Sequence, residues 1–378
     1  MTRAPRPAVR TRLTVAAVTV LLALTACSGE AAPPAPTATP RPSPTVTATA
    51  TPEFLEAAQV PPLTLAEFFP PRDLATLRLD PARMRTVIAT GDVIPARGVD
   101  NAIRRRGDDF LFPVAATTQL TSNADLTVVN LEAPLVSYCG PAPSGTFTFC
   151  GRPGFVQALQ AAGVDVATLE NNHIGNYGSE AIAETAGHLD SAGIAWADRD
   201  SPAVRDVRGL RFGFLAFNGV GERIDRQAMA AQIQALRPQV DVLMVAVHWG
   251  AEYVRVPQTA PGVADDDPIE IAHLAIDSGA DLVIGNHPHW VQAAESYNGR
   301  FIAYAHGNFI FDQMWSYETR VGVVGRYTFY DKLLVGVEFV PVLSQDYAQP
   351  VTMQGAEAQA VLAAMQAASA ELAATLVP

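Results

Sequence analysis

From residue 85 onward, short apolar runs alternate with segments in which apolar residues recur at helical spacing. The apolar runs predict buried strands, at 86–90, 126–130, 164–169, 194–196, 211–217, 240–247, 282–284 and 301–304. The helical spacing predicts helices, at 99–105, 155–162, 179–192, 227–236 and 268–278. Ser179 follows Gly178 and is the expected N-cap of the third helix. This alternation predicts a layered α/β domain with central sheets flanked by helices.

The pattern changes after residue 312. Residues 322–330 and 333–340 alternate between apolar and polar positions on either side of the turn Asp331-Lys332, which predicts an antiparallel hairpin. The last segment, 346–378, is Ala-rich and predicts a helix. We therefore expect one α/β domain over 84–345, followed by a C-terminal helix.

Residues 1–26 have the pattern of a secretory signal peptide. Arginines precede an apolar stretch at 13–23, and small residues then lead to Cys27. The stretch is too short, and wrongly flanked, to span a membrane. A cysteine at the first mature position is typical of a bacterial lipoprotein, so we expect Cys27 to be lipidated and the protein to be extracytoplasmic and lipid-anchored to the cell membrane. The alternative is an ordinary signal peptide with a coincidental cysteine.

The segment 27–83 is predicted to be a linker. Residues 28–51 are rich in Pro, Ala and Thr and hold almost no apolar side chains, so they cannot bury a core. Pro61-Pro62 and Pro70-Pro71 interrupt any long element in the remainder. We expect a partly extended spacer that lifts the domain off the membrane.

The charge of the chain excludes one class of partner. The formal net charge is −12, and removal of the four arginines within residues 1–26 leaves −16. Such an acidic surface argues against nucleic acid as a partner. It does not exclude anionic substrates, because a bound metal ion inverts the local field.

Cys139 and Cys150 flank a loop rich in Pro, Gly and Ser. In an exported protein the simple expectation is a structural disulfide that closes this loop. A metal-binding or catalytic thiol pair is the alternative.

Five short polar motifs stand at or just after the ends of predicted strands, where ligands bind in an α/β sheet. They are Gly91-Asp92, Asn130-Leu131-Glu132, Asn171-Asn172-His173, His248-Trp249-Gly250 and Gly285-Asn286-His287-Pro288-His289. Four of the seven histidines lie in these motifs. Imidazoles, carboxylates and an amide that meet at one edge of a sheet predict a divalent metal centre.

These motifs, in order, resemble the CapA family, the capsule or poly-γ-glutamate synthesis proteins. The resemblance covers about residues 85–315 and is carried by GDVIPARGVD, VVNLEAPL, TLENNHIGNYG, VAVHWGAEY, VIGNHPHWVQ and YAHGNFIFDQ. That family is similar in fold to the calcineurin-like metallophosphoesterases. The resemblance therefore implies a layered calcineurin-like metallophosphoesterase fold, a role in capsule or poly-γ-glutamate biosynthesis or export, and a phosphoesterase-like site.

The resemblance also implies roles for individual residues. Six would bind metal: Asp92, Glu132, Asn172, His248, His287 and His289. His173 would be catalytic, by protonating the leaving oxygen or steadying the transition-state charge. The chain departs from the metallophosphoesterase pattern at two positions. Ile94 stands in place of the histidine of the first motif, and Glu132 replaces the usual bridging aspartate.

These departures make the two implied metal positions unequal. One keeps four ligands of suitable type, namely Glu132, Asn172, His248 and His287. The other keeps only Asp92, Glu132 and His289. We therefore expect one tight divalent-metal site and a second that is weak or absent. The ligand types do not distinguish Mn, Fe, Zn and Mg.

Further residues are expected around the site. Arg97 and Glu252 would bind substrate, Arg97 through a phosphate or carboxylate. The alternative for Arg97 is a solvated loop arginine. Asn308 and Asp312 are expected to hold the loop near the metal through hydrogen bonds.

Three functions fit the sequence. The first is a metal-dependent hydrolase that acts on an anionic envelope polymer or a phosphorylated precursor. The second is a non-catalytic accessory subunit of a membrane polymer synthase, which binds polymer or synthase subunits through the same crevice. The third keeps the fold with a metal of structural role only.

Overall fold

The computed structural model describes residues 54–142 and 145–376. The predicted signal peptide, Cys27 and the Pro-rich part of the linker lie outside these residues. The strands are β1 Met84–Val93, β2 Leu126–Leu131, β3 Val166–Thr168, β4 Ala195–Ala197, β5 Ala203–Val207, β6 Leu210–Asn218, β7 Val242–His248, β8 Leu282–Asn286, β9 Ala294–Tyr297, β10 Arg300–Ala303, β11 Asn308–Ile310, β12 Val321–Tyr330, β13 Leu333–Gln345 and β14 Gln349–Thr352. The helices are α1 Gly98–Arg105, α2 Thr118–Ser122, α3 Val156–Ala161, α4 Ser179–Ser191, α5 Arg226–Leu236, α6 Pro268–Ser278, α7 Tyr317–Arg320 and α8 Gly355–Leu376.

The strands form two sheets. One has eight strands, in the order β14-β13-β12-β1-β2-β3-β4, with β11 paired to β1. The other has six, in the order β5-β6-β7-β8-β10-β9. Strands β1 to β4 run parallel to one another, as do β6, β7, β8 and β10. The carboxyl ends of these parallel strands carry the polar motifs.

The main core lies between the two sheets. Val87 and Ala89 of β1 join a buried cluster with residues of the second sheet, whereas Ile88 belongs to the cluster that contains α1, α3 and α4. Successive residues of a strand point to opposite faces, so β1 packs on both sides. Helices α5 and α6 cover the outer face of the second sheet through Ile233 and Ile271. The architecture is thus a mixed α/β structure of two sheets flanked by helices.

Most predicted elements are present, including the hairpin of β12 and β13, in which Tyr330 pairs with Leu333. The N-cap assignment was wrong. Helix α4 is capped by Gly178, whose φ of 82° favours glycine, and no side chain caps it. Strands β5, β9, β11 and β14 were not predicted, because each is short and lacks a long apolar run.

The segments outside 84–345 pack on the same body. The sequence predicts a linker over 27–83, whereas Phe68 packs edge-on against Phe301 with ring centroids 4.7 Å apart. Helix α8 buries Met365 in the core between the sheets and Leu372 in the cluster that α5 and α6 form with the second sheet. The described residues from 54 to 376 form one compact unit. Within the described ranges, no helix combines the length and the apolar character that crossing a membrane requires.

Candidate metal centre

The polar motifs of both sheets meet at one rim of the structure. Asp92 and Glu132 come from the ends of β1 and β2, and His248 ends β7. His287 and His289 follow β8 on a loop in which both residues have positive φ, 96° and 57°. A bulky residue rarely adopts this backbone conformation, so the loop backbone is strained at His287 and at His289. All five side chains are buried.

Asp92 is a hydrogen-bond hub. Its Oδ1 accepts from the side-chain amides of Asn130 (2.8 Å) and Asn286 (3.0 Å). Its Oδ2 lies 3.3 Å from Nδ1 of His289 and 3.4 Å from the backbone nitrogen of His287. Burial raises the pKa of Asp92, but the bond to His289 and the nearby imidazoles outweigh it and hold the pKa below its usual range. Asp92 is therefore ionised and joins the two sheets.

Two asparagines that the sequence left without a role support this hub. Asn130 Oδ1 accepts from Asn171 Nδ2 at 3.0 Å. Asn171 Oδ1 in turn accepts from the backbone nitrogens of His173 (3.2 Å) and Ile174 (2.8 Å). These bonds shape the loop that carries Asn172 and His173. The only signal in the sequence was that both asparagines stand inside the strand-end motifs.

The first ligand group consists of Glu132, His248 and His287, whose ligand atoms lie within 4.8 Å of one another. Asn172 adds a fourth donor, since its Oδ1 lies 2.9 Å from Nε2 of His248. Glu132 Oε1 and both ring nitrogens of His287 are buried and have no hydrogen-bond partner among the described residues. Such orphaned atoms are costly unless a ligand engages them.

The electrostatics of this group suit a cation. Burial raises the pKa of Glu132 well above its usual value, and the Asp92 carboxylate adds to the effect. Burial lowers the pKa of His287 to about 3, and burial with the neighbouring His287 ring lowers that of His248 well below 6.5. Neutral imidazole is the form that binds metal. The donors therefore fit a divalent cation.

A second group consists of Asp92, Glu132 and His289, again within 4.8 Å. Asn308 lies on β11, beside Asp92 of β1, and sets the tautomer of His289. Its Nδ2 donates to the backbone oxygen of Thr319 (2.9 Å), so its Oδ1, 2.9 Å from His289 Nδ1, must accept a hydrogen bond. His289 Nε2 is left as the ligand atom. Burial lowers the pKa of His289, but the Asp92 carboxylate outweighs it and the pKa is raised.

Glu252 joins a third group, with His287 and His289. Its Oε1 lies 3.9 Å from His289 Nε2, and its side chain is 40% exposed. The structure thus brings Glu252 to the same cluster as the six predicted ligands. The sequence had predicted only a substrate-binding role for it.

His173 stands beside the ligands and is held by two residues. Its ring lies 4.1 Å from that of Phe149, centroid to centroid. Asn176 Oδ1 accepts from the backbone nitrogen of Phe149 (2.7 Å) and lies 3.1 Å from His173 Nδ1. His173 Nδ1 is therefore the hydrogen-bond donor to Asn176, and His173 Nε2 carries the lone pair. Burial lowers the pKa of His173 to about 4.

Phe149 belongs to the loop closed by the Cys139–Cys150 disulfide, which the structure contains. Arg97 lies under this loop, 4% exposed, and pairs with Asp312. Its guanidinium also donates to the backbone oxygen of Thr146 at 2.9 Å. The alternative of a solvated loop arginine is therefore wrong, while substrate binding by Arg97 stays a prediction. Asp312 holds Arg97 and also accepts from the backbone nitrogen of Gly98 at 2.8 Å, at the end of the loop that follows β1.

Comparisons with known proteins were consistent with the motifs. A family model described as "Bacterial capsule synthesis protein PGA_cap" matches residues 86–313. The chain is 26% identical to the capsule biosynthesis protein CapA of Bacillus anthracis, over 71% of this chain and 69% of that protein. It is also 26% identical to the PGA biosynthesis protein CapA of Bacillus subtilis, over 63% and 66% of the two chains. A protein of Mycobacterium tuberculosis, named as a probable polyglutamine synthesis accessory protein, is 27% identical over 60% and 74%.

Likeness to solved structures is weaker. A hypothetical protein from Thermus thermophilus is 15% identical, with a TM-score of 0.46 over 69% of this chain and all of that chain. This score is too low to support an assignment of fold or function.

Proposed function

Since the chain belongs to the PGA_cap family of bacterial capsule synthesis proteins, we propose that it serves capsule or poly-γ-glutamate biosynthesis or export at the cell surface. In this proposal Cys27 carries the lipid anchor and the protein stands outside the cytoplasmic membrane. Its partners would be membrane synthase subunits and an anionic polymer or a phosphorylated precursor of it.

The proposed activity is metal-dependent hydrolysis of a phosphoester or a related bond. One observation carries this proposal: Glu132 Oε1 and both nitrogens of His287 are buried beside Asn172 and His248 and have no hydrogen-bond partner in the described part of the chain. Two packed sheets with the site at the carboxyl ends of parallel strands are also what a calcineurin-like metallophosphoesterase fold would present. The residues would hold a divalent ion, without distinguishing Mn, Fe, Zn and Mg.

Each residue has a separate task in this proposal. Glu132, Asn172, His248 and His287 would hold the ion. When bound, the ion would supply Lewis-acid polarisation of the scissile group and stabilise its developing charge. His173 would protonate the leaving oxygen from Nε2, because Nδ1 is engaged with Asn176. It would first take up that proton from water, since burial lowers its pKa and keeps the free ring neutral. Asp92 would orient His289 and the loop that carries it.

A metal-binding and turnover assay tests this proposal. The purified protein is stripped of metal, reloaded with Mn²⁺ or Zn²⁺, and assayed on phosphodiesters, phosphomonoesters and γ-glutamyl peptides. We expect metal-stimulated turnover that a His173→Ala variant loses while its metal content is unchanged. Equal loss of metal and turnover in that variant would make His173 a ligand. Absence of metal-stimulated turnover in the wild type would refute the hydrolase.

A non-catalytic accessory role is the second candidate. It is favoured by Ile94, which is fully buried in an apolar cluster with Ala96, Ala133, Phe149 and Phe311 where the metallophosphoesterase pattern has a histidine. An accessory subunit would be recovered with a membrane protein after crosslinking. Polymer export would survive in an Asp92→Ala, His248→Ala variant, whereas a hydrolase would lose its function.

A further inference from the structure

Glu252 occupies a turn that is tied to the histidine loop at both ends. The backbone nitrogen of Trp249 donates to Asn286 O at 3.1 Å, and that of Tyr253 donates to Pro288 O at 2.9 Å. Tyr253 has a positive φ of 59°, so the backbone at this point is held in an uncommon conformation. The turn therefore carries Glu252 to a defined place beside the imidazoles.

The imidazole that faces Glu252 presents a lone pair to it. The Nδ1 hydrogen of His289 is directed at Asn308 and Asp92, so Nε2 is unprotonated in the neutral ring. Nε2 lies 3.9 Å from Glu252 Oε1. Two atoms at that distance are too far apart for a strong hydrogen bond and leave room for an ion that contacts both.

Two further facts point to an ion at this place. Both nitrogens of His287, which is 2% exposed, have no hydrogen-bond partner among the described residues. One ligand atom each from Glu252, His287 and His289 lies within 4.8 Å of the others. The two carboxylate oxygens of Asp92 already face four protein donors, so Asp92 is poorly placed to be a strong metal ligand. Ile94 offers no donor at all.

We propose that Glu252 is a metal ligand, which with His289 builds a second ion position next to the one held by Glu132, Asn172, His248 and His287. The inference rests on the proposed metal-dependent function and deepens it. It replaces the expectation of a weak or absent second site with a two-ion centre. The residue that completes the second ion position, Glu252, comes from the turn after β7 rather than from β1.

The test is metal stoichiometry, which does not depend on activity. Stripped full-length protein is titrated with Mn²⁺ by equilibrium dialysis and followed by electron paramagnetic resonance. The wild type should bind about two equivalents with a spin-coupled signal, because ions in such pairs sit about 4 Å apart. Glu252→Gln should bind about one equivalent tightly and lose the coupled signal, with the second affinity reduced about tenfold or more.

Glu357→Gln is the matched control, since Glu357 is exposed on α8, and it should bind as the wild type does. Thermal melting verifies that each variant folds, and Glu252→Asp, which keeps the charge but retracts it, should weaken only the second ion. One equivalent in both wild type and Glu252→Gln would overturn the inference and leave the proposed function standing. Two equivalents in both would also overturn it. A wild type that binds no Mn²⁺ or Zn²⁺ would overturn both.

Discussion

Opening the disulfide should destabilise the protein mainly through its unfolded state. The Cys139–Cys150 bond closes a loop with a sequence separation of 11. The base of this loop is also held by backbone hydrogen bonds, from Gly151 to Pro134 O (2.8 Å) and from Val136 to Gly151 O (2.9 Å). Because these bonds do not depend on the sulfurs, the folded loop should stay closed after reduction. The unfolded chain, by contrast, gains conformational freedom.

The magnitude follows from the loop length. The chain-entropy relation for a loop of this separation gives about 2.8 kcal/mol near room temperature. Alanine is the better replacement than serine, since both cysteines are buried and a buried hydroxyl would add its own cost. A smaller local effect should accompany the global one. Phe149 precedes Cys150 directly and its ring contacts that of His173, so any turnover should fall while metal content is kept.

Urea unfolding measures the effect. Oxidised wild type, dithiothreitol-reduced wild type and Cys139→Ala/Cys150→Ala are compared in the same buffer. The last two should lose about 3 kcal/mol of unfolding free energy, and dithiothreitol should not change the double variant further. If reduced and oxidised wild type unfold at the same urea concentration, the entropic reasoning is refuted.

Other perturbations separate the roles of single residues. Asn176→Ala removes the acceptor of His173 Nδ1, so turnover should fall about 10–100-fold with metal content unchanged, and an unchanged rate would show that Phe149 alone holds the ring. Phe301→Ala opens a cavity between the sheets, where Phe68 and Tyr327 pack on it, and should cost about 3–5 kcal/mol in urea unfolding; a loss below 1 kcal/mol would place the main core elsewhere. The hydrogen bond from Arg72 lowers the pKa of Glu67 to about 2, against the opposing effect of burial. Since the folded-state pKa is the lower one, the stabilisation is present above about pH 4.5 and is lost as the pH falls towards 2. The stability difference between wild type and Glu67→Gln should therefore shrink across that window, and a constant difference would show that the pair does not act through charge.

The central strands and the location of the site could be predicted, because each rests on a local pattern. Buried parallel strands are continuous apolar runs, and a polar motif at the end of such a run is conspicuous. Edge strands such as β5 and β14 could not be predicted from the same signal. They are short, and their stability comes from pairing with a neighbour rather than from their own apolar face.

Within the site, the candidate metal-binding side chains could be predicted from the sequence, but the residues that contact them could not. Ile94 could be recognised as a missing donor because it stands inside a motif. The burial of Arg97 depends on Asp312, 215 residues away, which no spacing rule reveals. The approach of Glu252 to His289 depends on the turn at Tyr253 and on two backbone hydrogen bonds that only the fold creates.

The bond between Asp92 and Asn286 has a consequence for access to the crevice. Asp92 ends a strand of the first sheet and Asn286 ends a strand of the second, and their 3.0 Å hydrogen bond is buried. Separation of the sheets would break this bond and the two ligand groups that join Asp92 or Glu132 of the first sheet to histidines of the second. In the proposed function, a long polymer would therefore not pass between the sheets. It would lie across the rim of the crevice and present one bond at a time.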